Sequence, residues 1–193
     1  TSGNCIRNVT ADHLAGAVSG EIEDPRIYAE LVRQWSTLHP EISWLPRKFK
    51  IAVIATEEDR AAMRVHDIGL RIKVGSSGGI GFEVLAGGGL GRTPYIASTV
   101  REFLEKEHLL SYLEAILRVY NQLGRRDNLY KARIKILVDS VGIDQFRTLV
   151  EKEWGKIKDG PLTVPEEEFA RILSYFAPPE YVVSGLQPEK IDL

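Results

Sequence analysis

Three cations stand within four residues at Arg47-Lys48-Phe49-Lys50, directly after Pro46 and directly before the apolar run Ile51-Ala52-Val53-Ile54. The proline and the β-branched run read as a strand that enters a core from a charged mouth. Lys48 and Lys50 are two residues apart, so on a strand both ammonium groups share one face with β-carbons roughly 7 Å apart. Phe49, Ile51 and Val53 point to the other face. Two fixed cations side by side make a site for a small, multiply charged anion, held by charge-assisted hydrogen bonds. The other reading is of solvated charges at a strand end that discourage edge pairing.

A second stretch with chemical potential is Gly87-Gly88-Gly89-Leu90-Gly91-Arg92. It reads either as a loop that needs positive φ and turns sharply, or as a nest of backbone N–H groups for carboxylates or phosphates. It fits neither Gly-x-Gly-x-x-Gly nor the phosphate-loop pattern, which argues against a nucleotide site. The single cysteine, Cys5, rules out an internal disulfide and any cysteine-caged metal or iron-sulfur cluster made by this chain alone. His13, His39, His66 and His108 are scattered with no metal-binding spacing, and are expected at surface or capping positions. With 25 Lys and Arg against 27 Asp and Glu, the chain lacks the basic excess of a general nucleic-acid surface. No apolar run approaches the ~18 residues of a membrane span and no signal pattern opens the chain, so a cytoplasmic protein is expected.

The elements that must position these groups follow from periodicity. Residues 5–10 alternate as a short strand, with Ile6 and Asn8 on one face and Arg7 and Val9 on the other. Asp24 caps a helix over about 25–38 whose stripe is Ile27, Leu31, Trp35 and Leu38, closed by His39-Pro40. The cationic strand runs to about Ala55, and Glu57, Glu58 and Asp59 cap a short helix ending near Val65. Residues 68–74 and 80–85 alternate around Gly75-Ser76-Ser77-Gly78-Gly79 as an antiparallel hairpin. A further strand is expected over 96–104, then helices over about 108–123, 129–141 and 144–154. The second of these buries Tyr130, Ile134, Leu137, Val138 and Val141, with Lys131 and Arg133 flanking that stripe. After residue 155 the composition shifts: Thr163 and Glu166 read as a capping box for a helix over 165–176, Pro178-Pro179 ends it, and the remainder reads as a linker.

Four motifs together resemble the sirohaem-dependent nitrite and sulfite reductases. They are Gly3-Asn4-Cys5-Ile6-Arg7-Asn8-Val9-Thr10 with Leu14-Ala15-Gly16, Leu45-Pro46-Arg47-Lys48-Phe49-Lys50, Phe82 to Arg92, and Tyr130-Lys131-Ala132-Arg133-Ile134-Lys135 with Val141-Gly142-Ile143. They occur in the family's order across nearly all of residues 1–154. The resemblance implies an α+β fold, a mixed, largely antiparallel sheet of about five strands packed with helices. It implies that 1–154 is a first-half sirohaem-binding domain and 155–193 a helical tail and linker to a second half.

By the same resemblance, a sirohaem coupled to a four-iron four-sulfur cluster delivers six electrons to sulfite or nitrite. The positions matching the family's anion-holding and proton-supplying cations are Arg7, Lys48 and Lys50. Arg47, and less directly Arg133, match positions that bind the sirohaem carboxylates. Lysine at the last position of the core motif goes with sulfite reducers and asparagine with assimilatory nitrite reducers, so Lys50 favours sulfite, with nitrite as the alternative. The expected partners are the substrate anion, further domains of the parent chain, and a ferredoxin or flavoprotein electron donor, with neither nucleic acid nor membrane. The family's four cluster cysteines are absent, as is the N-terminal domain that supplies further arginines, so neither turnover nor cofactor binding is expected from this piece alone. Two other classes stay open: a cofactor-less anion-binding module, and an interaction domain built on the basic strand. The last needs aromatic stacking positions beside the cations, and only Phe49 is near, on the wrong face.

Overall fold

The computed structural model describes residues 3–37 and 39–177. The expected roles of Leu38, of Pro178-Pro179 and of the linker beyond them lie outside the described residues. Five strands form one sheet in chain order: β1 (Ile6–Ala11), β2 (Phe49–Ile54), β3 (Ile68–Val74), β4 (Ile80–Ala86) and β5 (Ser98–Glu105). The ladders β1/β2 and β2/β3 are parallel, while β3/β4 and β4/β5 are antiparallel. The sheet is therefore mixed, as expected, with its ladders evenly divided. This topology has a direct consequence for function. The N-terminal ends of β1, β2 and β3 and the C-terminal end of β4 all gather at one end of the sheet.

Helices α1 (Pro25–Thr37), α2 (Leu109–Leu123), α3 (Ile134–Val141), α4 (Ile143–Trp154) and α5 (Glu166–Leu173) contribute to one large core. Phe49, Ile51 and Val53 face it, together with Leu70, Phe82 and the α2 residues Tyr112 and Tyr120. The opposite face of β2 carries Ala52 and Ile54 into a smaller cluster with Met63, Leu85 and Ala97. Both faces of β2 are thus covered beyond Lys50, which is why its sequence is a continuous apolar run rather than an alternation. Asp24 caps α1 as expected, its Oδ1 accepting the Arg26 backbone N–H at 2.9 Å. The hairpin turn also holds, with Gly75 N donating to the Gly79 carbonyl at 2.8 Å.

Several local expectations are corrected. The β1/β2 register shifts between Ile6 and Asn8, so Ile6 pairs with Phe49 and Val9 with Ile51, and both pack on the main core. Ile6 and Asn8 therefore do not share a face, because the bulge inserts a residue into the alternation. The helix expected over 129–141 is broken. Arg133 is extended at φ −72°, ψ 150°, and only Ile134–Val141 is α-helical. Leu129–Lys131 is a separate 3-10 turn with Asn128 accepting the Tyr130 N–H, and Tyr130 is 92% exposed rather than buried. Residues 57–65 yield only a 3-10 turn, Met63–Val65, whose first amides donate to Asp59. The Thr163 capping box is not formed. Pro165 holds the cap position of α5 and the Thr163 hydroxyl donates to the Lys158 carbonyl. His108 takes a capping position, the N-cap of α2, but is buried against Trp154 and not at the surface.

Candidate functional site

The gathered strand ends frame a cavity of about 380 Å³. Lys48 and Lys50 enter it from the start of β2, His66 and Asp67 from the approach to β3, Leu90 and Gly91 from the exit of β4, and Arg133 from the residue before α3. Lys48 and Lys50 thus share a side, as their spacing requires. Phe49 between them is fully buried on the core side, which fixes the direction of both lysines.

Asp67 organises this end of the sheet. Its side chain is almost wholly buried, and its Oδ1 accepts from Arg133 Nη2 at 2.7 Å and Nε at 3.2 Å. Its Oδ2 accepts the Lys50 backbone N–H at 2.9 Å. Burial pushes the Asp67 carboxyl above its ordinary pKa, against the pull of the Arg133 charge and of these hydrogen bonds. Arg133 also donates from Nη1 to the Leu90 carbonyl at 3.2 Å. Lys135, itself buried, donates to the carbonyls of Leu90 and Thr93. The Tyr120 hydroxyl donates to the Ala132 carbonyl at 2.7 Å, and its ring packs on that of Phe49 with centroids 5.6 Å apart. One buried phenol thereby ties the start of β2 to the segment that carries Arg133.

The glycine run is a packing device more than a nest. A β-carbon on Gly88 would stand 2.4 Å from the His66 carbonyl oxygen and 2.7 Å from that of Arg64, and one on Gly89 would meet the Arg133 guanidinium at 2.8 Å. The Gly87 and Gly89 amides are already engaged by the carbonyls of Asp67 and Tyr95. Gly87 and Gly91 take positive φ, +88° and +121°. Only Leu90 and Gly91 of this run reach the cavity wall.

Electrostatically, the site is a cation cluster. Burial first, then the charges of Arg133, Arg7, Arg47 and Lys50, lower the pKa of Lys48. Lys48, Lys50 and Arg133 line one cavity. Arg7, expected beside them, does not line this cavity but a separate hollow between β1 and α1, and donates from Nε to the Gly3 carbonyl at 2.9 Å, while Arg47 sits in the bend before β2. Both act on Lys48 through their field. Sequence reasoning missed Asp67, His66 and Lys135. The signal for Asp67 was a lone carboxylate set directly against the apolar alternation of β3, a position where an acid must find a partner.

Residues 2–158 match the family model described as the nitrite and sulphite reductase 4Fe-4S domain. The chain belongs to this family. It is 30% identical over 165 residues to sulfite reductase [ferredoxin] 1 of Mycolicibacterium paratuberculosis, covering 84% of this chain and 29% of that protein. It is likewise 30% identical over 162 residues to a chloroplastic ferredoxin–nitrite reductase of Arabidopsis thaliana, covering 80% and 28%. Among solved structures, the Mycobacterium tuberculosis NirA protein superposes with a TM-score of 0.73 at 30% identity, over 85% of this chain and 30% of that one. A dissimilatory sulfite reductase, at 13% identity and a TM-score of 0.57, shares the fold. The chain thus spans about 30% of the length of the curated family members it matches. No helix among the described residues is long and apolar enough to cross a membrane.

The cofactors can be tested against this member of the family. Cys5 is its only cysteine, and no three His, Cys, Asp or Glu side chains come together among the described residues. These residues do not fit the ligand set of a four-iron cluster. A polycarboxylate macrocycle such as sirohaem is a better fit, because cations surround the cavity and the Arg47 guanidinium has no side-chain partner among the described residues. Arg133 is committed largely to Asp67 and Leu90.

Proposed function

We propose that this chain is the oxyanion-holding part of a sulfite reductase. The observation that carries this reading is the convergence of Lys48, Lys50 and Arg133 on one cavity, within the field of Arg7 and Arg47. Lys48 and Lys50 hold the anion's oxygens by charge-assisted hydrogen bonds, which are shorter and stronger than neutral ones. Arg7 and Arg47 add attraction from just outside. Two ammonium groups suit a dianion such as sulfite better than a monoanion such as nitrite, so Lys50 favours sulfite. Arg47 and the outer edge of Arg133 would hold carboxylates of a sirohaem, which when bound would supply electrons to the anion; ferredoxin is the donor named for the curated relatives. On this reading residues 1–154 are the sirohaem-side domain and 155–193 a helical tail and linker, of which Val164, Phe169 and Ile172 pack back on the domain's own core.

Isothermal titration of the chain with sulfate, a redox-inert dianion, tests the cradle. Lys50→Met is expected to weaken binding roughly tenfold or more, the scale of a hydrogen bond to a charged group. Equal affinity in the variant would remove the cavity from consideration. Comparing sulfite with nitrite in the same titration tests the substrate preference, and tighter nitrite binding would reverse it.

A further inference from the structure

We propose that His66 is the proton donor of the cavity, a role that rests on reading the cavity as an oxyanion cradle. Each oxygen lost from sulfite or nitrite must leave as water and so needs protons. Lysine and arginine side chains ordinarily exchange their protons well above neutral pH, whereas an imidazole ordinarily exchanges near pH ~6.5. His66 is the one imidazole among the described residues lining this cavity.

Its ring is fixed for the task. Nδ1 lies 2.8 Å from the Ala62 carbonyl oxygen, which assigns the proton on that nitrogen and leaves Nε2 without a partner among the described residues. The carbonyl that orients it belongs to the single non-glycine residue of positive φ among those described, Ala62 at φ +53°. That left-handed residue opens the Met63–Val65 turn, and Asp59 anchors the turn by accepting from the Met63 and Arg64 amides. Strain held in place by such capping is a common feature of functional sites. The Gly88 backbone packs directly beneath, too close to the His66 carbonyl for any side chain.

The charged groups around His66 are Lys48 and Lys50 from β2, Asp67 from the approach to β3, Arg133 from the residue before α3, and Arg64 with its capping Asp59 from its own turn. An anion entering between the lysines offsets their repulsion of an imidazolium, so binding favours protonated His66. In the transfer step the Nε2–H bond breaks as an O–H bond forms on the anion. The electron pair stays on Nε2, no electrons pass between the partners, and the neutral imidazole regains its proton from solvent at the half-exposed ring.

Sulfate is the probe for the test, because it stays fully deprotonated between about pH 6 and 9 and any proton taken up must go to the protein. Titration calorimetry of the full chain in buffers of different ionisation enthalpy should show net proton uptake per sulfate, largest near pH ~7. His66→Gln should abolish that uptake and weaken sulfate roughly tenfold near pH ~6, while leaving affinity unchanged near pH ~9. Ring nitrogen shifts of His66 in the unaltered chain should report Nε2 becoming protonated on sulfate addition, a readout that needs no variant. If sulfate binds without uptake, or the variant takes up as many protons, the role of His66 is overturned while the cradle stands. If sulfate does not bind at all, the cradle reading itself fails and this proposal goes with it.

Discussion

Lys48 is placed where a lysine is least comfortable, half-buried and ringed by Arg133, Arg7, Arg47 and Lys50. Its pKa is therefore depressed below the ordinary ~10.4. Between the folded value and ~10.4 the unfolded chain binds more protons, so Lys48's contribution to stability rises with pH across that window and is lost as pH falls through the folded value. Its charge opposes folding at neutral pH, in keeping with a residue kept for binding. Nitrogen-15 titration of the Lys48 ammonium should give a midpoint below ~10.4 that moves up when sulfate is added, and an unshifted midpoint in both states would contradict the cation cluster. Asp67 is the counterweight. Asp67→Asn removes the negative charge opposite Arg133, whose side chain is only 17% exposed. Leaving that cation uncompensated is expected to destabilise the chain by about 3 kcal/mol, read as a lower urea midpoint at neutral pH. A variant as stable as the parent would mean that Arg133 finds solvent without difficulty.

At the scale of elements, the site depends on how tightly the β4 exit passes beneath the turn before β3. Gly88→Ala would drive a β-carbon into the Arg64 and His66 carbonyls, and backbone cannot yield as a side-chain end can. A loss of roughly 1–3 kcal/mol is expected in chemical denaturation, with displaced amide signals at His66 and Asp67, whereas a silent substitution would show the loop to be looser than its geometry. The strands and helices that carry the site were legible wherever apolar periodicity ran unbroken, as in β3, β4 and α2. Lys48 and Lys50 could be paired from spacing alone because Phe49 between them has to face the core. The bulge at Arg7 was hidden, because nothing in Cys-Ile-Arg-Asn-Val-Thr marks where a register shifts. The break at Arg133 was hidden for a related reason. Tyr130 through Val141 keeps a helical hydrophobic pattern, yet the chain straightens at Arg133 to bring its guanidinium onto Asp67, and a tertiary ion pair of that kind leaves no local trace. Asp67 and His66 bind the site together through contacts distant in sequence, so their parts became visible only with the sheet assembled.

For the whole molecule, the formal charge of −2 coexists with a cavity whose wall carries Lys48, Lys50 and Arg133 against Asp67 alone. Attraction for an anion is local, and it should weaken as salt screens the outer arginines. On the proposed reading, the parallel strand ends and the β4 exit would build an anion cradle from this chain's own residues, while its one cysteine could not by itself hold a thiolate-ligated cluster. Anaerobic incubation with iron and sulfide should therefore leave the chain without a stoichiometric cluster, judged by iron content and visible absorption, while calorimetric sulfate binding persists in the same sample. One cluster per chain would require ligands other than cysteine and would undo the assignment. Loss of sulfate binding in the cluster-free chain would instead show that the cradle is organised only when the cofactors are present. The buried Asp67–Arg133 pair and the Tyr120 hydroxyl, which bind the cavity wall to the core without any cofactor, lead us to expect the cradle to stand on its own.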